Sequence, residues 1–189
     1  MKIFGVAGTN GAGKDSVGEM LVEKHSFMVV SVSDLLREEA RKRNLPIERE
    51  VLRSISAEWR RDFGLGVLVD RAVEQYKKSP HRYKGLVAIP MRNVGEAKRI
   101  HELGGTLVWV DASPEVRYRR IFNRQRSAED DKTYEEFLAE EQEEMTQSGD
   151  ESTLNMFGVK AICDVSLVNN DSNIDAFKDQ TDEILKKYI

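Results

Sequence analysis

The sequence predicts an α/β fold in which a five-stranded parallel sheet carries helices on both faces. Three observations predict it. Short apolar runs alternate with amphipathic segments along all 189 residues, the pattern of strands buried on both faces and joined by helical crossovers. The first apolar run leads without a break into a glycine-rich turn, Gly8-Thr9-Asn10-Gly11-Ala12-Gly13-Lys14, that opens the first helical pattern. A hydrophobic fraction of 40% over this length fills one core and is short for two, so one domain spanning 1–189 is expected.

The elements follow in order. Lys2 to Ala7 is a short apolar run bounded by glycine, a buried strand, and Lys14 to His25 carries Val17, Met20 and Leu21 at helical spacing. Phe27 to Val32 makes the second strand, and Ser33 is the expected N-cap of a charged helix from Asp34 to Asn44 that Pro46 ends. Helices over about Glu48–Asp62 and Gly66–Lys78 precede a third strand, Gly85 to Ile89. Val94 to Leu103 is helical, Gly104-Gly105 breaks it, and Thr106 to Val110 is a strand rich in β-branched residues. Pro114 suits the first turn of a helix running towards Arg126. A polar break at Ser127 to Lys132 leads to a very acidic helix, Thr133 to Gln147. Beyond a glycine-bearing loop come the last strand, Val165 to Val168, and a closing helix from about Ile174.

Charge and composition exclude several classes. Lys+Arg 29 against Asp+Glu 33 gives a net charge of −4, so no whole-chain positive field points to a nucleic acid polymer. The longest apolar runs, such as Leu107 to Val110, fall far short of the ~20 residues that span a bilayer. Met1 to Gly8 has neither a basic leader nor a small-residue cleavage site, so a soluble, cytoplasmic protein is expected. The one cysteine, Cys163, has no disulfide partner and no metal-site spacing, and reads as a small buried residue.

The spacing Gly8-x4-Gly13-Lys14 between a strand and a helix specifies a polyphosphate. Gly8, Gly11 and Gly13 let the amides of the loop, Asn10 and Ala12 included, turn inward around phosphate oxygens. The helix N-terminus adds partial positive charge, and Lys14 reaches the β and γ phosphates. Asp15 stands where Ser or Thr usually donates a hydroxyl to Mg²⁺. A carboxylate is also a hard oxygen ligand, so Asp15 is the expected metal anchor, with Ser16 the weaker candidate one residue on. The competing reading makes Asp15 only a first-turn carboxylate that complements the helix dipole.

With these residues in view, the chain resembles the nucleoside monophosphate kinase branch of the phosphate-loop fold, which includes adenylate kinase and dephospho-CoA kinase, over most of its length. The resemblance implies a three-layer P-loop NTP hydrolase fold, ATP and Mg²⁺ as cofactors, a helical acceptor-binding insert at 33–80 and a short arginine-bearing lid at 113–132. Ser31-Val32-Ser33-Asp34-Leu35-Leu36-Arg37 is similar to the start of the acceptor-binding helix of adenylate kinase, with Arg37 in place of its phosphate-binding arginine and Asp34 beside it. A guanidinium suits that task because its fork grips phosphate bidentately and never loses its charge. Ala88-Ile89-Pro90-Met91-Arg92 resembles the segment in which these kinases carry an aspartate and then an acceptor-binding arginine. Arg92 matches the arginine, but the aspartate is missing, and Asp15 is expected to replace its charge at the metal. Arg117, Arg120 and Arg124 share one helical face and are the expected lid cations, closing over the triphosphate, while Arg119 and Arg126 share another. The alternative for these arginines is pairing with the acidic helix. Val168-Asn169-Asn170-Asp171 resembles the segment of dephospho-CoA kinase that borders adenine, where Asn169 could read a base edge or simply build a turn.

His25, His81 and His101 are scattered and suit surface roles. Trp59 and Phe63 are expected as a helix-packing pair, and Glu140-Glu141 and Glu143-Glu144 as a solvated face. The combined expectation is an ATP-dependent phosphotransferase acting on a small phosphorylated acceptor of nucleoside or deoxynucleoside monophosphate type, with Lys14, Arg37, Arg92, Arg120 and Arg124 as the catalytic set. Dephospho-CoA kinase, with Asp34 as base, is the alternative. A nucleotide-binding regulator without phosphotransfer is the alternative from another class, favoured by the missing strand-three aspartate.

Overall fold

The computed structural model describes residues 1–79, 81–124, 132–146, 149–171 and 173–189, with the side chain of Arg124 left out. The expectations for Arg126, for the polar break from Ser127 through Asp131, and for the side chain of Arg124 lie outside the described residues. The elements run β1 (Lys2–Gly8), α1 (Lys14–His25), β2 (Phe27–Ser31), α2 (Val32–Lys42), α3 (Arg49–Phe63), α4 (Val67–Lys77), β3 (Gly85–Met91), α5 (Val94–Glu102), β4 (Thr106–Asp111), α6 (Pro114–Arg124), α7 (Tyr134–Met145), α8 (Met156–Ala161), β5 (Val165–Val168) and α9 (Ile174–Leu185). The five strands form one parallel sheet in the order β2-β3-β1-β4-β5. A centrally placed β1 delivers its glycine-rich turn to the carboxyl edge of the sheet, where ligands of open α/β folds bind.

Strand alternation builds two cores. Ile3, Ala7, Leu107 and Trp109 point to one face and join α3, α4, α5 and α8 through Trp59, Leu68, Ile100 and Met156. Phe4, Val6, Val108 and Val110 point to the other and meet α1 and α9 through Val17, Met20, Leu21, Phe177 and Leu185. Both faces being dry explains why the strands read as continuous apolar runs rather than alternating ones.

Four local readings change. The N-cap of α2 is Ser31, whose Oγ accepts from Asp34 N, so the helix starts at Val32 rather than beyond Ser33. Strand β3 continues past Ile89 to Met91, because an irregularity in its register lets Gly5 pair Ala88 while Ala7 pairs Met91. That extra residue turns Met91 into the first core and passes the following Arg92 to the carboxyl edge. A short helix, α8, stands where only a loop was expected. Trp59 and Phe63 do not pack as a pair. Trp59 is buried beneath the Arg71 guanidinium, 3.8 Å from its ring centre, and Phe63 is exposed.

Candidate active site

The loop after β1 has a shape only glycine permits at two points. Gly8 has φ 142°, and a Cβ there would lie 2.0 Å from the Val110 carbonyl oxygen. Gly13 has φ 96°, and its Cβ would lie 2.3 Å from Asn169 Nδ2. The loop is braced from outside. Thr9 Oγ1 donates to Asp111 Oδ1 at 2.7 Å, Thr9 N to the Val110 carbonyl at 3.2 Å, and Asn169 Nδ2 to the Ala12 carbonyl at 2.9 Å. Burial works against the charge of Asp111, yet the bonds from Thr9, Ala112 N and Trp109 outweigh it and hold the carboxyl below its ordinary range.

Lys14 folds into this cradle, donating to the carbonyls of Gly8 at 2.9 Å and Thr9 at 2.7 Å. Burial, then the nearby Arg92 and Arg117 cations, push its ammonium down to about 7, against the opposing pull of Glu144 and Asp15. No side chain caps α1, so its leading backbone amides face the cradle, with Asp15 the acidic residue of that first turn. A polyphosphate fits both features, since it supplies negative charge to Lys14 and acceptors to the loop amides. Asp15 lies exposed in the first turn of α1, Ser16 is buried directly behind it, and both border the same cleft. No group of three or more His, Cys, Asp or Glu residues gathers as a metal cage among the described residues. Asp15 and Ser16 are the hard oxygen donors beside the loop that could hold a cation such as Mg²⁺.

A cleft of about 1260 Å³ runs from Gly11, Gly13 and Lys14 between α2, α3 and the end of β3, bordered by Asp34, Arg37, Arg53, Arg92 and Arg120. Arg37 is paired with Asp34 at 2.7 Å across one helical turn. Arg92 is fixed twice: its backbone N donates to Glu96 Oε2 at 2.9 Å, and its Nη1 sits 3.1 Å from Glu144 Oε2. Glu96 also takes Arg60, at 2.6 Å, in an ion pair excluded from water. This pair ties α3 to the turn that presents Arg92.

The expected lid arginines separate. Arg117 is buried in the joint between α6 and α7, where Nε donates to the Ala112 carbonyl at 2.7 Å, Nη1 lies 2.6 Å from Glu141 Oε1, and the guanidinium covers the ring of Phe137. Arg120 borders the cleft and donates through Nη2 to Asn169 Oδ1 at 3.3 Å and to the Asp171 carbonyl at 2.7 Å. Asn169 thereby links the loop to Arg120.

A family model described as an AAA domain matches residues 7–138, which contain the phosphate loop and every arginine named above. The chain belongs to the AAA-domain family. It is 30% identical over 191 residues to a UPF0200 protein of Pyrococcus abyssi, covering 97% of this chain and 95% of that one. Its fold is that of small P-loop kinases. The crystal structure of TT1252 from Thermus thermophilus is similar with a TM-score of 0.57 at 21% identity, covering 98% of this chain and 96% of that one. Shikimate kinase from Bacteroides thetaiotaomicron matches with a TM-score of 0.57 at 12% identity, covering 98% of each chain. No described helix is long and apolar enough to cross a membrane.

Sequence reasoning missed the inward role of the acidic helix. The glutamates of α7 do not all form a solvated face: Glu144 is 13% exposed and lies between Arg53 and Arg92, Glu141 meets Arg117, and the half-exposed Glu140 meets Arg49 at 3.1 Å. Glu143, pointing the other way, is exposed. The signal was present as the spacing of Glu140 and Glu144, which puts both on one side of the helix, but nothing in the sequence says that this side meets arginines. Burial opposes the charge of Glu144, and the Arg92, Arg53 and Arg49 cations overcome it, pulling the carboxyl down to about 2.

Proposed function

We propose that the protein transfers the γ-phosphoryl group of ATP to a small acceptor that already carries a phosphate, of the nucleoside or deoxynucleoside monophosphate class. One observation carries this reading: a single cleft joins the Lys14 cradle to a second group of arginines, Arg37 and Arg92, supplied by other elements than the loop. A protein that only bound or hydrolysed ATP would have no use for a second anion pocket. The kinase-like fold supports the same class of chemistry.

In this reading the loop amides and Lys14 hold the donor phosphates, and Arg37 and Arg92 orient the acceptor phosphate for in-line attack. Asp15 and Ser16 hold Mg²⁺, which when bound neutralises charge on the phosphates. Arg120, already tied to the far side of the loop through Asn169, adds positive charge where it develops during transfer, and Arg124 follows it one helical turn on. Arg117 contributes from behind the loop, where its charge already acts on Lys14.

The pairing of Asp34 with Arg37 at 2.7 Å favours a phosphate acceptor over a hydroxyl acceptor. A ribose hydroxyl, as in dephospho-CoA, benefits from a base, and Asp34, the candidate for that role, already has one carboxylate oxygen bonded to Arg37. A phosphate acceptor needs no base. The test is incubation with Mg²⁺, ATP and a panel of nucleoside monophosphates, deoxynucleoside monophosphates and dephospho-CoA, with products separated by mass. A diphosphate from one or two acceptors is expected. A 3′-phosphorylated CoA would replace this reading with the hydroxyl-directed one, and tight ATP binding with no modified acceptor would replace it with a nucleotide-binding regulator.

A further inference from the structure

One carboxylate in the cleft bridges two guanidiniums. Glu144 Oε1 lies 2.8 Å from Arg53 Nη2, and Oε2 lies 3.1 Å from Arg92 Nη1. The two arginines come from separate elements, α3 and the end of β3, and both border the cleft. They reach the same small anion from different sides, the geometry of an oxyanion clamp rather than of a surface ion pair. The charges do not balance within it: a monoanion sits between two monocations, and the other partner of Arg53, Glu50, is an exposed neighbour one turn away at 2.8 Å. The clamp also adjoins the donor cradle, because Arg92 and Glu144 are the two charged groups that act most strongly on Lys14.

We propose that Arg53 is an acceptor-phosphate ligand that forms one subsite with Arg92, and that Glu144 is the internal occupant of this subsite, displaced when a phosphate monoester binds. This rests on the phosphotransferase reading for the identity of the ligand, though not for the existence of the clamp. A phosphate monoester dianion matches two guanidiniums in charge, and its three free oxygens can replace both bonds that Glu144 makes. Glu144 leaves by movement of α7 or by rotation of its own side chain, and either brings the acceptor to the end of the cleft that faces Lys14. An acceptor bearing no phosphate lacks the charge to displace it, so the carboxylate acts as a selectivity filter for phosphorylated acceptors.

The competing account is a permanent structural bridge from α7 to α3 and β3, in which Glu144 never leaves. Four proteins separate the two, wild type, Glu144→Gln, Arg53→Ala and the double variant, with Arg53→Lys in the Glu144→Gln background as a fifth for rescue, each checked for wild-type circular dichroism. Binding of inorganic phosphate is measured by calorimetry. Lys14 and the loop amides bind phosphate in all four, so the differences report the clamp. Removing the internal competitor should tighten phosphate binding in Glu144→Gln by about tenfold, the scale of a typical coupling between two sites. The double variant should lose that gain, and Arg53→Lys in the Glu144→Gln background should recover part of it. Phosphate binding by Glu144→Gln no tighter than wild type, or a gain that survives in the double variant, would overturn the proposal. The gain appearing while no monophosphate is ever phosphorylated would sustain the clamp and reject the kinase reading.

Discussion

Replacing Glu96 by glutamine should unfold the protein more readily than any other single-atom change near the cleft. Glu96 is wholly buried and accepts four bonds: Arg60 Nε at 3.0 Å and Nη2 at 2.6 Å through Oε1, and the backbone N of Arg92 at 2.9 Å and of Asn93 at 3.2 Å through Oε2. A glutamine keeps one acceptor oxygen. Its amide group must therefore face either the guanidinium or two backbone N–H groups, donor against donor. Arg60 is 3% exposed and, among the described residues, keeps Ser56 Oγ and the Ser152 carbonyl as partners while losing its carboxylate counterion. Breaking a buried pair from one side costs about 3–5 kcal/mol. For a chain of this size that corresponds to a fall in Tm of roughly 6–20 °C. Calorimetric melting and urea midpoints at constant m-value measure it. Substituting both partners with apolar residues, Glu96→Leu with Arg60→Met, should recover much of the loss, since the desolvation penalty leaves with the charges. A loss below about 1 kcal/mol in Glu96→Gln would refute the assignment of this pair as the brace of the Arg92 turn.

Two further outcomes follow from the donor end. Lys14, held down to about 7 by burial and the nearby cations, is mostly neutral at pH 8 and must be charged beside a polyphosphate. ATP binding should then take up about 0.9 proton at pH 8 and roughly 0.1 at pH 6, weakening as pH rises above 7, and calorimetry in buffers of different ionisation enthalpy reads this directly. Zero uptake at both pH values would show that the cradle does not depress the Lys14 ammonium. Asp15→Ala should raise the Mg²⁺ concentration for half-maximal activity about tenfold, with a smaller effect from Ser16→Ala; an unchanged Mg²⁺ dependence would leave Asp15 as a helix-dipole carboxylate only.

The donor half of the cleft was legible because it is contiguous in the chain. Gly8, Gly13 and Lys14 fall within one strand-to-helix turn, and the backbone alone fixes their geometry. The boundaries of α1, β5 and α9 were legible for a similar reason, since apolar spacing and local caps such as Asn173 decide them. The acceptor half was not. Arg53, Arg92 and Glu144 lie far apart in sequence, on α3, after β3 and on α7, and only the crossing of those elements at the sheet edge brings them together. The sequence could suggest that the arginines might pair with the acidic helix, and Arg117 with Glu141 does so. It could not say that Glu144 would be driven inside the cleft, because helical periodicity tells which residues share a face and nothing about what that face meets. The N-cap of α2 failed on a finer scale: Ser31 and Ser33 are both competent caps, and the end of β2 pairing with Ile89 of β3 selects the earlier one.

The inward turn of α7 also bears on what can enter. The net charge of the chain is −4, yet the cleft gathers Lys14 and several arginines, a composition that by itself would attract any polyanion. That attraction is partly answered from within: Glu144 faces Arg53 and Arg92, and Glu140 faces Arg49. A long polyanion lying along the cleft would have to compete with more than one glutamate, whereas a single phosphate needs to displace only Glu144. Each ion pair that must be opened offsets part of the gain from the phosphate that replaces it, so a longer intruder meets more internal competition than a single group does. This asymmetry supports a small phosphorylated acceptor over a nucleic acid strand more strongly than net charge does. It also explains how a pocket this cationic can exist in an acidic protein without becoming a general anion trap.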